Sequence, residues 1–397
     1  MAAKPTPTLY LQGRIMNKPL SFACAVAAPI LFSHSAMAQF DYSKYIETDG
    51  SFKRFSVSAG WLHANPTGDA TPVKNTTAIS DGTSHNNGSV RSGTVKRVLD
   101  PDQGLGSAAE NQERFDAING GLSLPGDDNT DLSNTALGNL SGTTVINGLQ
   151  KFATPGTGLE SDDVDTLGML LNYHIDDNWS VEVKAGFPPK VDILGKGTVV
   201  APFRGVVTPS GIAEQAIGDF NIKDDIVITD LSQGSKASTA RAWLPATELH
   251  YKFGKSGVNK FRPYVGAGVM YAYFNDLKLN SGIRQDLVDA GHMIQNIKEG
   301  NAGTSLQYDG PDGRTTPSSS GMHVKVKADS AWAPIVTVGA TYDFDDSWFA
   351  VGSLSYAKLD SDSTITVSND NGEQLIKAVS KIDIDPYISY LGVGYRF

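Results

Sequence analysis

Eight segments of the chain alternate apolar and polar residues with a period of two. They are rich in β-branched and aromatic residues, which favour extended backbone. Because successive side chains of a strand point to opposite faces, each segment predicts a strand with one apolar and one polar face. The segments cover residues 52–64, 163–175, 179–187, 241–253, 261–274, 329–344, 348–359 and 382–397.

The connections between these segments alternate between long and short. Short turns lie at 176–178, 254–260 and 345–347, and long loops lie at 65–162, 188–240, 275–328 and 360–381. Bacterial outer-membrane barrels have an even number of strands, short periplasmic turns and long outer loops. The fold class is therefore predicted to be all-β, an eight-stranded antiparallel transmembrane β-barrel with long extracellular loops. The alternative is a soluble β-sandwich, whose apolar faces would meet in a protein core.

The parity of each strand assigns its two faces. In the third strand Trp179, Val181 and Val183 share the side that should meet lipid, and the opposite side carries charge. An eight-stranded barrel is only wide enough for inward side chains to fill it, so an axial aqueous pore is not expected. A polar plug near the periplasmic ends is predicted, unless the charges are paired for stability alone. Its predicted members are Arg54, Glu182, Lys184, Glu248, His250, Lys252, Arg262 and Arg396.

The first 38 residues predict an N-terminal extension and a secretory signal peptide. Lys18 precedes an apolar stretch at 20–32, and small residues at 36 and 38 form a cleavage site. Residues 39–397 are then a single outer-membrane barrel domain with large loop insertions at 65–162 and 188–240. Cys24, the chain's single cysteine, lies in the signal, so no disulfide and no cysteine-ligated metal is expected. The formal net charge of −10 argues against nucleic acid as a partner.

Two prolines follow Phe187 at the end of the third strand. Pro188 and Pro189 cannot donate backbone hydrogen bonds to a ladder, so strand pairing should fail there. An apolar molecule could then leave the lumen sideways into the outer leaflet. The alternative is an ordinary strand end at a loop.

The loops contain more residues than the strands. The first loop is rich in Gly, Asn, Ser, Thr and Asp, a composition typical of mobile surface. The second carries apolar patches at 199–203, 206–207 and 226–228, which either line a funnel for apolar solutes or pack against other loops. The last loop, 363–379, predicts a hairpin that prolongs strands seven and eight.

Three stretches resemble the OmpW family of outer-membrane proteins, including its alkane-importing AlkL-type members. They are residues 260–269, the Trp332-Ala-Pro334 segment with Val338, Gly339 and Tyr342, and residues 383–386 with 392–397. The resemblance implies a hydrophobic channel, closed toward the periplasm, that releases small apolar molecules laterally into the membrane. It puts Phe187, Pro188 and Pro189 at the wall interruption and turns Trp332 toward the channel. Parity points Trp332 at lipid instead, which a bulge near Pro334 would reconcile.

We therefore predict a channel for passive uptake of small hydrophobic molecules in the outer membrane of a Gram-negative bacterium. The expected partners are outer-membrane lipid, small apolar solutes and the barrel-assembly machinery, which would read Tyr395 and Phe397 at the aromatic chain end. The alternative is surface recognition or adhesion by the loops, with the barrel as an anchor. We expect no cofactor, no metal site and no catalytic residue, because parity sends His63 to lipid and the histidines lack metal-ligand spacing.

Overall fold

The computed structural model describes residues 52–123, 128–134, 139–309 and 314–397. The predicted signal peptide, 1–38, lies outside the described residues, and Lys53–Phe397 fold together as one unit. The strands are β1 Phe55–Asn65, β2 Lys74–Thr77, β3 Thr83–Asn86, β4 Asn139–Asn147, β5 Lys151–Ala153, β6 Gly158–Ser161, β7 Val164–His174, β8 Trp179–Gly186, β9 Lys190–Lys196, β10 Thr198–Ser210, β11 Phe220–Asp230, β12 Ser238–Trp243, β13 Ala246–Lys252, β14 Phe261–Leu279, β15 Tyr308–Asp309, β16 Arg314–Thr315, β17 Met322–Ala328, β18 Ala331–Asp343, β19 Trp348–Ala357, β20 Asp360–Asn369, β21 Gln374–Asp383 and β22 Tyr387–Arg396. The helices are α1 Ser92–Val98, α2 Ala108–Ser123, α3 Ile212–Ile217, α4 Ser281–Lys298 and α5 Ala302–Ser305, with a 3₁₀ turn at Leu132–Asn134.

Eight of these strands close into an antiparallel ring. The ring order is β1, β7, β8, β13, β14, β18, β19 and β22, and β22 pairs back onto β1 with Gly60 opposite Gly392. The predicted eight-stranded barrel is thus confirmed. The predicted fourth strand is divided at Leu244 and Pro245, because proline has no N–H for the ladder. The fifth strand, β14, runs on to Leu279 and pairs there with β12.

Aromatic side chains form a belt around each end of the outer face. Near the short turns, Trp348 packs on Tyr395 with ring centroids 5.1 Å apart. Near the long loops, Tyr356 packs on Tyr387 at 5.2 Å. Leu, Val and Ala side chains cover the band between the two belts. This is the surface that a transmembrane barrel presents to lipid and its two interfaces.

The long loops fold into a layer with its own hydrophobic core. This layer, the cap, comprises the described residues of 66–163, 188–245, 280–328 and 358–386, and contains the sheets β11-β10-β4-β3 and β17-β20-β21-β2-β5. Mobile surface was expected of the first loop, but its Ile79, Ile146 and Leu149 are fully buried in this core. In the second loop Phe203 and Ile226 join the same core, so packing among loops is confirmed. The predicted hairpin is β20 and β21.

Helix α4 lies in the third loop and was not predicted. The side chain of Asn280 caps it by accepting from the backbone N–H of Gly282 at 2.8 Å. Its buried residues recur every three or four positions, from Ile283 through Leu287 and Ile294 to Ile297, so one face packs into the cap core. In the described part of the chain, no helix combines the length and the apolar character that a bilayer span requires.

Candidate functional site: a barrel lumen with a polar floor and an interrupted wall

The lumen changes character along the barrel axis. On β13 the inward residues read Ala246, Glu248, His250 and Lys252 from the cap end to the periplasmic end. On β18 apolar Ala333 and Ile335 likewise precede Thr337, Thr341 and Asp343. The half near the cap is therefore apolar, and the half near the short turns forms a polar floor.

Lys184 crosses the lumen at the top of this floor. Its ammonium lies 2.6 Å from Glu248 Oε1 on the neighbouring strand. It also donates to Thr337 Oγ1 at 2.8 Å and to Ser355 Oγ at 2.7 Å, on β18 and β19. The ammonium therefore makes one ion pair and two hydrogen bonds. The Lys184 side chain thus joins strands on different sides of the ring.

Glu182 and His250 complete the upper floor. His250 Nε2 lies 3.3 Å from Glu248 Oε2, and its Nδ1 lies 3.8 Å from Glu182 Oε2. The imidazole stacks on the Tyr264 ring at 4.9 Å. Gly266 makes room for it, since a Cβ there would lie 2.2 Å from His250 Cδ2. The His250 imidazole is thus held between the Tyr264 ring and the backbone of Gly266.

Two arginines seal the periplasmic end. Arg262 donates to the carbonyl oxygens of Phe253 at 3.2 Å, of Gly254 at 3.1 Å and of Asp177 in the facing turn. Arg396 donates to Asp343 Oδ1 at 2.7 Å, and its guanidinium covers the Phe349 ring at 4.5 Å. Buried cations with such partners close the lumen and stabilise the lower barrel.

The structure buries seven of the eight predicted plug residues in the lumen. They are Glu182, Lys184, Glu248, His250, Lys252, Arg262 and Arg396. Arg54 is different, because it precedes β1 and donates to the Ile175 carbonyl oxygen at the rim, 3.2 Å away. Sequence reasoning missed inward polar residues that parity alone would have found, namely Asn172, His174, Thr337 and Ser355.

Above the floor the lumen is lined by apolar side chains. The wall there contains many alanines, among them Ala64, Ala246, Ala272, Ala333 and Ala357, together with Met270, Ile335, Leu359 and Ile388. Four residues at the barrel mouth pack both on this cluster and on the core of the cap, namely Val164, Leu244, Phe274 and Ile384. Apolar packing is therefore continuous from the cap into the upper lumen.

The barrel wall is interrupted beside Pro188 and Pro189. Below the interruption, Phe187 N–H donates to the Leu167 carbonyl oxygen at 3.1 Å, and above it Asp162 N–H donates to that of Asp192 at 2.9 Å. The lower ladder pairs β7 with β8, the upper ladder pairs β6 with β9, and the residue numbers of paired residues follow the same register in both. No backbone pairing joins residues 163–166 to residues 188–191. On their other side the prolines stay attached, since Ala242 N–H donates to the Pro189 carbonyl oxygen at 3.1 Å.

Phe187 and Trp332 both lie on the outer face. Phe187 is 65% exposed at the lower edge of the interruption. Trp332 is 71% exposed and packs on Tyr271, with ring centroids 4.8 Å apart. The ladders on both sides of β18 run without a register shift, so no bulge turns Trp332 inward. The channel-facing orientation implied by the resemblance is corrected, and Trp332 lies three strands away from the interruption.

His63 lies on the outer wall close to the interruption. Its Nδ1 is 3.0 Å from Asp165 Oδ1, which also accepts from the Trp61 indole at 2.7 Å. These residues face away from the lumen, as parity predicts for His63. At the chain end Tyr395 packs on Phe397 at 5.5 Å on the same outer face.

The cap contains a small cavity of its own. It has a volume of about 40 Å³ and lies between α1 and the β10–β11 hairpin, with Val95, Val98 and Phe203 in its lining. A space of that size holds a few water molecules, since one needs about 10–15 Å³. The cap cavity is therefore too small for an apolar solute of several carbons.

Three comparisons place the chain among known proteins. Residues 308–397 match the model of the OmpW family. The chain is 25% identical over 231 residues to outer membrane protein W of Vibrio cholerae, covering 58% of this chain and 73% of that protein. It is 22% identical over 243 residues to the dibenzothiophene metabolism operon protein PahQ of Pseudomonas aeruginosa, covering 61% and 76%.

Among solved structures, the crystal structure of the outer membrane protein OprG from Pseudomonas aeruginosa aligns with 87% of this chain and 97% of that one. The identity is 15% and the TM-score is 0.42. The family match covers the last three barrel strands, β18, β19 and β22, and the hairpin between them. The resemblance seen in the sequence is confirmed, because residues 308–397 match the OmpW family model and the chain is similar to outer membrane protein W. The protein is a β-barrel of the Gram-negative outer membrane.

Proposed function

We propose that this protein is an outer-membrane channel through which small hydrophobic molecules are taken up passively and released sideways into the membrane. The observation that carries the proposal is the division of the lumen into an apolar upper half and a polar, closed floor. An apolar solute gains free energy in the upper half, about 0.8 kcal/mol for each buried CH₂ group. It cannot continue downward without displacing the buried charges.

The interrupted wall supplies the exit that this floor requires. Val164 lies at the edge of the interruption and packs on the apolar cluster of the upper lumen. Leu244, which follows β12 on the attached side of the prolines, packs on the same cluster. Outside, Leu167 and Phe187 are exposed toward the membrane. A solute that moves between these residues passes from one apolar environment to another. The relative named for an operon of dibenzothiophene metabolism is consistent with an apolar aromatic solute.

Uptake by liposomes that contain the protein tests the proposal. We expect a radiolabelled alkane or small arene to enter these vesicles faster than empty ones. The Pro188→Val/Pro189→Val variant should restore ladder hydrogen bonds and slow uptake. The matched control is Pro386→Val, which changes a proline that lies before β22 and away from the interruption. Equal uptake by protein-containing and empty vesicles would refute the channel.

A reversible closure tests the exit separately. The shared register sets Thr166 opposite Pro188, and the chain has one cysteine, Cys24, in the predicted signal. In a Thr166→Cys/Pro188→Cys variant, a disulfide formed on oxidation would draw the two edges of the gap together, because bridged cysteines have Cα atoms less than about 7 Å apart. Uptake should fall on oxidation and return on reduction. Unchanged uptake after confirmed bridging would exclude this exit but not the channel.

Surface recognition by the cap is the second candidate. The cap is a folded layer with its own hydrophobic core. A barrel that served as an anchor alone would need only short loops to connect its strands. The cap's large exposed apolar side chains among the described residues are Leu105, Val206, Ile212, Val227 and, next to the barrel, Trp243. Trp243 is the one aromatic in this set, whereas aromatic anchors dominate protein interfaces. Binding to host or bacterial surfaces that is lost when the cap is trimmed, together with no uptake, would favour this function.

A further inference from the structure

Two carboxylates and one imidazole converge in the floor of the lumen. Glu248 and His250 stand two residues apart on β13, so their side chains share the lumen face. Glu182 on β8 stands directly opposite Glu248. One potential ligand atom of each residue lies within 4.8 Å of those of the other two. All three side chains belong to residues that are at most 2% exposed.

The hydrogen bonds of this cluster leave two carboxylate oxygens without a donor. Glu182 Oε2 accepts from Asn172 Nδ2 at 2.9 Å, but Glu182 Oε1 and Glu248 Oε1 are buried and have no hydrogen bond. Lys184 Nζ lies 3.9 Å from the first oxygen and 2.6 Å from the second, and its hydrogen bonds go to Thr337 and Ser355. A further cation between the two carboxylates would satisfy both open oxygens.

We propose that Glu182, Glu248 and His250 form a binding site for a divalent transition-metal ion, best matched by Zn²⁺. One imidazole nitrogen and two carboxylate oxygens are a ligand set that zinc accepts. His250 Nε2 and Glu248 Oε2 are 3.3 Å apart, close to the spacing of two ligands that each lie about 2.0–2.2 Å from a tetrahedral ion. Calcium and magnesium prefer six or more oxygen ligands and fit less well.

The sequence pattern for this site belongs to strands and not to helices. Histidine and glutamate two positions apart share one face of a strand, whereas helical ligand pairs are three or four apart. The expectation that the histidines lack metal spacing therefore overlooked Glu248-Leu-His250. A bound ion would cross-link β8 and β13 below the wall interruption, where the edge of residues 188–191 is unpaired.

The alternative source of positive charge is the imidazole itself. A protonated His250 would balance the second carboxylate without a metal. Lys184 faces it from β8, Lys252 from its own strand, and Arg262 and Asp343 from β14 and β18. The two possibilities differ in one measurable respect, because only the first retains metal in a fixed ratio to protein.

Metal loading during refolding tests the site. Because the ligand atoms are buried, the protein is unfolded with a chelator present, dialysed, refolded into detergent with ZnCl₂, and freed of excess metal. We expect about one bound zinc per chain by elemental analysis, and with Co²⁺ the visible absorption of a low-coordinate ion. Less than a tenth of an equivalent in the folded wild type would overturn the proposal.

Matched variants locate the metal. His250→Gln and Glu182→Gln should each weaken zinc binding by more than about 100-fold, beyond the roughly 10–100-fold that the loss of an outer contact costs. His174→Gln is the control, because His174 is the other buried lumen histidine and bonds to Ser56 at 3.2 Å. Folding is checked by the heat-dependent gel mobility of the barrel. Full zinc binding by folded His250→Gln would also overturn the site, whatever the uptake assay shows.

Discussion

Lys184 and Ser355 face each other across the barrel, and 2.7 Å separate the ammonium nitrogen from the hydroxyl oxygen. Their strands, β8 and β19, are four places apart in either direction around the ring of eight. The lysine therefore spans the full width of the lumen. This single side chain divides the apolar half from the charged half.

Replacing Lys184 by Ala should destabilise the barrel strongly. The change leaves Glu248 and Glu182 buried without their ammonium, and losing one partner of a buried ion pair costs about 3–5 kcal/mol. Urea unfolding, followed by tryptophan fluorescence, measures the effect. Lys377→Ala, at an exposed position on β21, is the control and should change stability by less than about 0.5 kcal/mol. A Lys184→Ala variant as stable as this control would contradict the account of the floor.

Gly394 and Phe349 form a complementary pair in the lower lumen. A Cβ on residue 394 would lie 2.3 Å from Phe349 Cζ, so Gly394→Ala should cost about 1–3 kcal/mol by overpacking. Shortening the ring in Gly394→Ala/Phe349→Leu should recover part of that loss, and a double-mutant cycle measures the coupling. Additive effects of the two changes would show that the ring does not need the glycine.

Two periplasmic turns should make barrel stability depend on pH. The carboxylate of Asp176 accepts from Trp179 and Asn178 N–H, and that of Asp345 accepts from Trp348 and Ser347 N–H. These donors lower the pKa of both groups below the ordinary value. A depressed folded-state pKa adds stability above the unfolded-state pKa of about 3.9, and this is lost as pH falls through the folded value.

The Asp176→Ala/Asp345→Ala variant checks this dependence. It should unfold at lower urea than the wild type at pH 7, and the difference should shrink as the pH is lowered below about 4. Unfolding midpoints over a pH series supply the measurement. A constant difference across the series would mean that the aspartates act through something other than their charge.

The cap should lose its fold before the barrel does when its core is damaged. Leu375 is fully buried in that core, and Leu375→Ala should cost about 2–5 kcal/mol. We expect faster proteolysis within the cap while heat-dependent gel mobility, which reports the barrel, is retained. Val227→Ala, at a position 62% exposed, should leave proteolysis unchanged. If the heat-dependent gel mobility of the barrel is lost together with the protease resistance of the cap, the two parts unfold as one cooperative unit.

The barrel was predictable because its signal is local. Period-two alternation in each strand assigns both faces, and the short turns set which strands are neighbours. The seventh predicted strand, 348–359, shows where polarity fails to distinguish the inward face from the outward face. Its inward Phe349 and Val351 are each 4% exposed and pack in a small apolar cluster within the otherwise polar floor, so both faces of that strand read as apolar.

The cap and the details of the floor were not predictable, because both depend on contacts distant in sequence. Ile146 and Ile294 meet in one core although about 150 residues separate them. Thr337 and Ser355 carry no charge, so nothing in the sequence marks them as partners of Lys184. Trp332 gives the opposite lesson, since strand parity placed it correctly where the family resemblance did not.

The four residues shared by cap and lumen, Val164, Leu244, Phe274 and Ile384, bear on the kinetics of the proposed transport. An apolar solute that loses its hydration shell at the cap would not be hydrated again before it reaches the bilayer. For a six-carbon alkane, one return to water would cost about 5 kcal/mol at 0.8 kcal/mol for each carbon. Dehydration would then occur once, at the outer surface, and side-chain rearrangement along the path would govern the rate.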